Sequence, residues 1–466
     1  MELKDNRWYP SYHVAAPAGW INDPNGLCYF DGRYHVFFQY HPHSVEWGPM
    51  HWGHVSSSDL VTWRHEPIAL APSIEEDRDG CWSGSCVVGD DGRLYAFYTG
   101  HCWRTDPNDP NSRRQVQCLA VSDDGIHFQK HGSVLENPQC PTHFRDPKVW
   151  REGETWCMVV GQQSPEKRGQ VALYTSDDLL HWNQAGIVYE YPDANVYMLE
   201  CPDLFELDGK WVLCFSAMGM RPSGYMGRNQ HNAGYLVGSW KLGEPFVPQT
   251  EFAPCDAGHN YYAPQSFEHE GRRIQFGWMS SFHMGAAEQE DGWCGQLTLP
   301  RKLSLRDDGV MLSMPVPECA MLWEHAQAQD SSEVTANEER VIADDLACGC
   351  LELTFDLAAS SAERFGVKLH GTTDGNYLFV GYDAQTGCVV VDRQGCLRGH
   401  RGYRAARVYG DSLRLQIWLD RGSIEVFVND GEVAFSEMSY PGDGPRSITL
   451  TSEQGITKVE KLTLSK

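Results

Sequence analysis

No stretch of the chain is apolar over the length a membrane-crossing helix requires, and no Asn-x-Ser/Thr glycosylation acceptor occurs in it. Positive charge is scarce: 38 Lys and Arg stand against 63 Asp and Glu, a formal net charge of −25. Without a basic patch such a surface repels phosphate backbones, which excludes nucleic acid as a partner and leaves a neutral substrate, or one whose phosphate is held by a few local cations. Cysteine is too sparse for a disulfide-stapled scaffold, 16 in 466 residues against the ~8–10% typical of that class. Most sit in apolar contexts such as Leu27-Cys28-Tyr29 and read as free thiols. Cys348-Gly349-Cys350 has the wrong spacing for a zinc knuckle, so neither a metal nor a cofactor is expected. The segment Met1-Glu2-Leu3-Lys4-Asp5-Asn6-Arg7 lacks the apolar stretch of a secretory signal. Together these absences point to the cytoplasm.

What the chain does have is aromatic and apolar residues, 12% and 41%, enough to bury more than one core. Few stretches look helical. Short alternating runs, such as Tyr34-His35-Val36-Phe37-Phe38 and Arg93-Leu94-Tyr95-Ala96-Phe97-Tyr98, are bounded by Asp-Gly turns and read as hairpin strands.

Three carboxylates sit in unusual company. Asp23 lies in Trp20-Ile21-Asn22-Asp23-Pro24-Asn25-Gly26, Asp146 in Phe144-Arg145-Asp146-Pro147-Lys148, and Glu200 in Met198-Leu199-Glu200-Cys201-Pro202-Asp203. Taken singly they read as a hairpin turn, a local ion pair and a solvated turn residue. Taken together they supply what glycosidic hydrolysis needs, one carboxylate to attack the anomeric carbon and another to protonate the leaving oxygen.

With Phe37-Phe38-Gln39-Tyr40-His41-Pro42, Trp47-Gly48-Pro49-Met50-His51-Trp52-Gly53-His54 and Trp82-Ser83-Gly84-Ser85, these motifs resemble glycoside hydrolase family 32 in order from Trp20 to about Leu305. That family holds invertases, sucrose-6-phosphate hydrolases and fructan hydrolases. Ser423-Ile424-Glu425-Val426-Phe427-Val428-Asn429-Asp430-Gly431-Glu432 is similar to the family's C-terminal domain.

A degenerate repeat runs independently of those motifs. Asp59, Asp124 and Asp178 each precede an aromatic (Trp63, Phe128, Trp182) by four positions, and those aromatics are 65 and 54 residues apart. From Asp23 to Trp82, Asp146 and Glu200 the steps are 59, 64 and 54 residues. Both sets share a period suited to one four-stranded propeller blade, which would bring one motif per blade to a central channel. Four blades follow from this spacing, and Tyr261-Tyr262-Ala263-Pro264-Gln265-Ser266-Phe267 with Gln275-Phe276-Gly277-Trp278-Met279 supplies a fifth. Five is also the number the resemblance implies.

The expected fold is therefore all-β, a five-bladed β-propeller (1–320), a polar connector (321–340) and a C-terminal β-sandwich (341–466). The sandwich is expected to serve structure or subunit packing, a homo-oligomer included, with sugar binding the lesser alternative. The resemblance implies retaining hydrolysis of a terminal β-fructofuranoside, sucrose or sucrose 6-phosphate foremost and short fructo-oligosaccharides next. It assigns Asp23 as nucleophile, Glu200 as acid/base and Asp146 as a transition-state stabiliser binding fructose hydroxyls. In a retaining enzyme the two working carboxyl groups stand roughly 5–5.5 Å apart. Glu200 is expected to have a raised pKa, from burial and the charge of Asp23, and Arg145 to hold Asp146 ionised. Asn22 and Gln39 match sugar-binding positions, Ser83 would add a hydroxyl contact, and Trp47, Trp82 and Trp278 could offer flat faces to the sugar rings. A fructosyltransferase using the same acids is the main alternative. A non-catalytic sugar-binding propeller fits less well, because all three acids are present.

Overall fold

Turns of an acidic residue followed by glycine set the register of several hairpins. Asp31-Gly32, Asp208-Gly209 and Glu270-Gly271 have positive φ at both residues, the geometry of a type I′ turn, whose twist matches that of the strands it joins. The computed structural model describes residues 1–280, 282, 285–323, 326–329 and 331–466.

Five antiparallel sheets follow one another along the chain. Blade 1 is built on Gly19–Phe30, Arg33–His41, His51–Ser57 and Arg64–His65, and blade 2 on Gly80–Val88, Leu94–Trp103, Arg113–Ser122 and Gln129–Leu135. Blade 3 comprises Phe144–Glu152, Thr155–Gln163, Gly169–Ser176 and Asn183–Glu190. Blade 4 runs from Met198–Leu207 through Lys210–Met218 and His231–Ser239 to Val247–Pro248, and blade 5 from Tyr262–His269 through Arg272–Met279 and Arg301–Leu305 to Met311–Pro315. The first strand of each blade packs on that of the next, and the fifth on the first, closing the ring as a five-bladed propeller. Trp293–Cys294 runs parallel to Gly19–Trp20 and ties blade 5 to blade 1.

The aspartate–aromatic repeat has a physical basis in this ring. Asp59, Asp124 and Asp178 follow the third strands of blades 1 to 3, where each Oδ1 accepts two backbone N–H groups, from Val61 and Thr62, Ile126 and His127, and Leu180 and His181. The turn they cap aims the following aromatic at the second strand of the preceding blade. Trp63 packs on Phe276 at 5.8 Å, Phe128 on Phe37 at 5.6 Å and Trp182 on Phe97 at 5.6 Å between ring centroids. The repeat is the glue between blades.

Two further sheets form the C-terminal sandwich. One holds Ala326–Gln329, Ser332–Val334, Gly349–Asp356, Ser412–Leu419, Ser423–Val428, Val433–Met438 and Thr457–Ser465; the other holds Glu339–Ala343, Arg364–Gly371, Leu378–Asp383, Cys388–Asp392, Tyr403–Arg407 and Ser447–Glu453. Leu353, Val367, Leu415, Val426 and Leu450 meet in its core. The stretch 321–340 differs from the expected connector. Ala326–Gln329 and Ser332–Val334 pair with Thr457–Ser465, and Glu339 and Arg340 begin a strand on Ser447–Glu453; residues 324, 325 and 330 lie outside the described residues. Its polarity belongs to edge strands with one wet face.

Carboxylates of the sandwich pin it to the propeller. His13 lies between Asp420 (2.8 Å) and Glu425 (2.9 Å), and Arg301 between Asp256 (2.9 Å) and Glu425, all with fully buried side chains. Against the burial that would lower it, the two carboxylates raise the His13 pKa to about 9. Charges buried this deeply persist only when paired. All sixteen cysteines are free thiols, fourteen of them buried.

Candidate active site

Every innermost strand is irregular where it meets the channel. Register shifts fall between Ile21 and Pro24, Trp82 and Gly84, Glu200 and Asp203, and Tyr262 and Gln265, and at Val159–Gly161, opposite Arg145–Lys148. A bulge breaks the strict alternation of a strand, so consecutive side chains can face one side. Asp146, Cys201 and Ala263 have φ of 65°, 48° and 50°, and each precedes a proline. Left-handed backbone costs an L-residue ~1–2 kcal/mol, so the bends that aim these side chains hold strain at the channel mouth.

The paired residues Asn22 and Asp23, Trp82 and Ser83, and Arg145 and Asp146 line one pocket of about 360 Å³ together with Glu200, Gln39, Trp47, Arg113, Met218, His231 and Phe282. Asp23 accepts hydrogen bonds from Ser83 Oγ (2.6 Å), Asn22 Nδ2 (3.0 Å) and Cys201 Sγ (3.3 Å). Asn22 is itself held by Trp20 Nε1, which donates to its Oδ1 at 2.7 Å. Asp146 accepts the Cys201 backbone N–H at 3.0 Å and donates its own N–H to Thr99 Oγ1 at 2.9 Å. Glu200 takes Arg145 Nε (3.0 Å) and Nη2 (2.9 Å) on Oε1 and the Tyr262 hydroxyl (2.6 Å) on Oε2.

These contacts reverse two expectations about charge. Burial alone would raise the Glu200 pKa, but the Arg145 guanidinium and the Tyr262 hydroxyl together bring it below the ordinary glutamate value. Asp146, not Glu200, is the acid pushed up, to about 7: burial dominates, Arg145 opposes it, and the charges of Glu200 and Asp23 add to it. The reason is geometric. Arg145 stands 4.0 Å from Asp146 but makes two close hydrogen bonds to Glu200. Asp23 is also raised, by burial, against the hydrogen bonds from Ser83 and Asn22.

Two of the three expected aromatic platforms reach the pocket. Trp82 stacks on His101 at 4.0 Å and meets the exposed Trp47 edge-on at 5.7 Å. Trp278 does not: it is fully buried, packed behind Trp20 (5.6 Å) and Phe282 (4.8 Å), and so supports the wall without presenting a face. Gln39 lines the pocket with one amide N–H already given to Cys81 O at 3.0 Å. A second cavity, of about 230 Å³, lies between blade 4 and the sandwich. The carboxylate lining it, Asp256, is taken up by Arg301 and Ser436.

Sequence comparison agrees with this geometry. Residues 13–315 match the model of the glycosyl hydrolases family 32 N-terminal domain, and residues 318–466 that of the family 32 C terminal. The chain belongs to glycosyl hydrolase family 32. It is 42% identical over 461 residues to a sucrose-6-phosphate hydrolase of Escherichia coli, covering 98% of this chain and 95% of the relative. It is equally 42% identical to a raffinose invertase of Escherichia coli, covering 97% and 94%. Among solved structures it resembles a Bombyx mori GH32 beta-fructofuranosidase, with 33% identity, a TM-score of 0.85 and coverage of 99% and 95%. It also resembles a sucrose-6-phosphate hydrolase from Lactobacillus gasseri, with 26% identity, a TM-score of 0.88 and coverage of 98% and 93%.

Within this family 32 pocket, several residues escaped the sequence reading. Tyr262 had a visible signal: Tyr262-Ala263-Pro264 repeats the pattern of Arg145-Asp146-Pro147 and Glu200-Cys201-Pro202, two functional positions ending in proline. Arg113, Met218, His231 and Phe282 had none, because they come from outer strands and a loop whose approach to the channel depends on the closed ring.

Proposed function

We infer that this family 32 protein hydrolyses the β-fructofuranosidic bond of sucrose or of sucrose 6-phosphate with retention of configuration. The observation that carries the reading is the convergence of Asp23, Asp146 and Glu200, from three blades, on one pocket, each with a different set of partners. The relatives named above, a sucrose-6-phosphate hydrolase and a raffinose invertase, support the substrate class.

Asp23 is the nucleophile. Its three donors fix both carboxylate oxygens and favour the anion, and Asn22 and Ser83, which hold it, line the same pocket. Glu200 is the acid and then the base. It has the most open side chain of the three acids, 17% exposed, as a group exchanging protons with a leaving oxygen and then with water requires.

Burial raises Asp146 to about 7 while Arg145 and Tyr262 lower Glu200, so of these two acids Asp146 holds a proton more readily before the sugar binds. Fructose hydroxyls donating to Asp146 favour its anion. The second negative charge then raises the proton affinity of Glu200, and substrate binding itself moves the proton to the group that must give it away. Asp146 thus acts by binding hydroxyls in its charged form. Trp47 and Trp82 shape the side of the pocket that receives the rest of the substrate.

Catalysis belongs to the propeller, residues 1–320, and the sandwich, from Ala326 onward, braces it. The free buried thiols support the cytoplasm as the compartment. The test is release of fructose from sucrose and sucrose 6-phosphate by wild type and by Asp23→Asn and Glu200→Gln; folded variants with wild-type turnover would refute the assignments.

A further inference from the structure

Among the described residues, the pocket guanidinium of Arg113 has no carboxylate partner. Arg145 is fully engaged, by Glu200, by Gln115 Oε1 at 3.2 Å and by His143 at 3.2 Å. Arg113 lies two residues before Gln115 on the same strand, and strand alternation puts the two side chains on one face. The intervening Arg114 points the other way and pairs with Glu136 at 2.6 Å. Arg113 lines the pocket. Its Nε is buried without a hydrogen-bond partner, and among the described residues no carboxylate stands within ion-pair distance of it. Trp103 supports the guanidinium from beside it, 5.3 Å from ring centroid to Cζ.

Such an arrangement is unfavourable by itself. A second guanidinium next to Arg145, half-buried and with no carboxylate in ion-pair contact, is destabilised by burial first and by Arg145 second, which together outweigh the more distant charge of Glu200 and lower its pKa. A dianion arriving there would offset both penalties by its own attraction and would give the guanidinium fork the bidentate acceptor it lacks. The same group arriving elsewhere in a pocket of three carboxylates, on a chain of net charge −25, would be repelled.

We propose that Arg113 is the anchor for a phosphoryl group carried on the leaving sugar, so that the pocket selects a phosphorylated fructoside over the free disaccharide. The inference rests on the functional reading above and names the substrate within it.

The experiment compares wild type, Arg113→Gln and Arg113→Lys in kcat/KM for sucrose 6-phosphate and for sucrose, and in product inhibition by glucose 6-phosphate and by glucose. Thermal melts establish that each variant is folded. Wild type is expected to prefer the phosphorylated sugar and to bind glucose 6-phosphate more tightly than glucose. Arg113→Gln should lower the ratio of the two kcat/KM values by about 30-fold or more, chiefly through KM, and erase the advantage of glucose 6-phosphate. Arg113→Lys should keep part of both, as a point charge without the fork. An unchanged ratio in Arg113→Gln, or a wild type indifferent to the phosphate while it cleaves sucrose, would overturn the proposal and leave the fructosidase reading intact. If Arg113 only tuned Glu200, both substrates would lose equally and the alkaline limb of both pH profiles would move, which also contradicts it. Should Arg113→Gln not fold, Arg113→Lys and the wild-type inhibition constants decide. A wild type that cleaves neither sugar refutes the functional reading itself.

Discussion

Arg145 passes over its sequence neighbour Asp146, 4.0 Å away, and spends two of its guanidinium nitrogens on Glu200 at 3.0 and 2.9 Å. Glu200, the proposed acid/base residue, is therefore held toward its charged form. On the mechanism proposed above, the proton needed for leaving-group departure is delivered by the rearrangement of charge that substrate binding causes, which makes the pH profile the sharpest probe of the site.

Tyr262→Phe tests the other half of that clamp. Its hydroxyl donates to Glu200 Oε2 at 2.6 Å and favours the carboxylate. Removing it raises the pKa of Glu200. Since Glu200 must be protonated to act as the acid, the alkaline limb of kcat/KM is expected to move to higher pH. An unmoved limb would separate Tyr262 from the acid/base step.

Glu200→Ala should lose about 10²–10⁴-fold in kcat on sucrose, the range for a positioned proton donor. On an activated fructoside, whose departure needs no proton, azide should restore turnover and yield a fructosyl azide. Asp23→Asn should lose at least ~10³-fold with no azide rescue through the Glu200 route. Rescue of both variants alike would erase the division of roles.

Asp146→Asn separates stability from catalysis. The wild-type pKa rises from 3.8 unfolded to about 7 folded. With a raised folded pKa, the native state holds the extra proton, so the stability contributed is complete below 3.8 and is lost as pH climbs through about 7. Asparagine keeps the acceptor for the Cys201 N–H and never has to ionise. The variant's Tm minus that of wild type should thus grow from pH 4 to pH 8 while activity is nearly abolished. A difference independent of pH would contradict the raised pKa.

At the domain junction, Arg301→Met leaves Asp256 and Glu425 buried without their shared cation. Breaking a buried pair in this way costs about 3–5 kcal/mol, so a clear fall in Tm is expected, reported by melts followed through both domains. A variant as stable as wild type would mean that the His13 contacts suffice to hold the sandwich.

Much of this was legible in the sequence because the propeller repeats. The aspartates before Trp63, Phe128 and Trp182 cap equivalent turns, so their period is the blade period, and the site motifs share it because each begins an innermost strand. What the sequence hid depends on long-range geometry. Neighbours in sequence suggested an Arg145–Asp146 pair, whereas the bulge opposite Val159–Gly161 turns the guanidinium toward blade 4. Trp278 is followed by no sign of whether its ring faces the channel or the core; Trp20 and Phe282 cover it. The polar stretch 321–340 looked like a connector because edge strands with a wet face have the same composition.

The most direct test of the central claim is to follow sucrose, or sucrose 6-phosphate, with purified protein by time-resolved NMR and to record the first fructose anomer released. Attack by Asp23 followed by water assisted by Glu200 delivers β-fructofuranose first, with the other forms appearing only at the rate of spontaneous mutarotation. Release of the α anomer first, or of no fructose at all, would contradict the account.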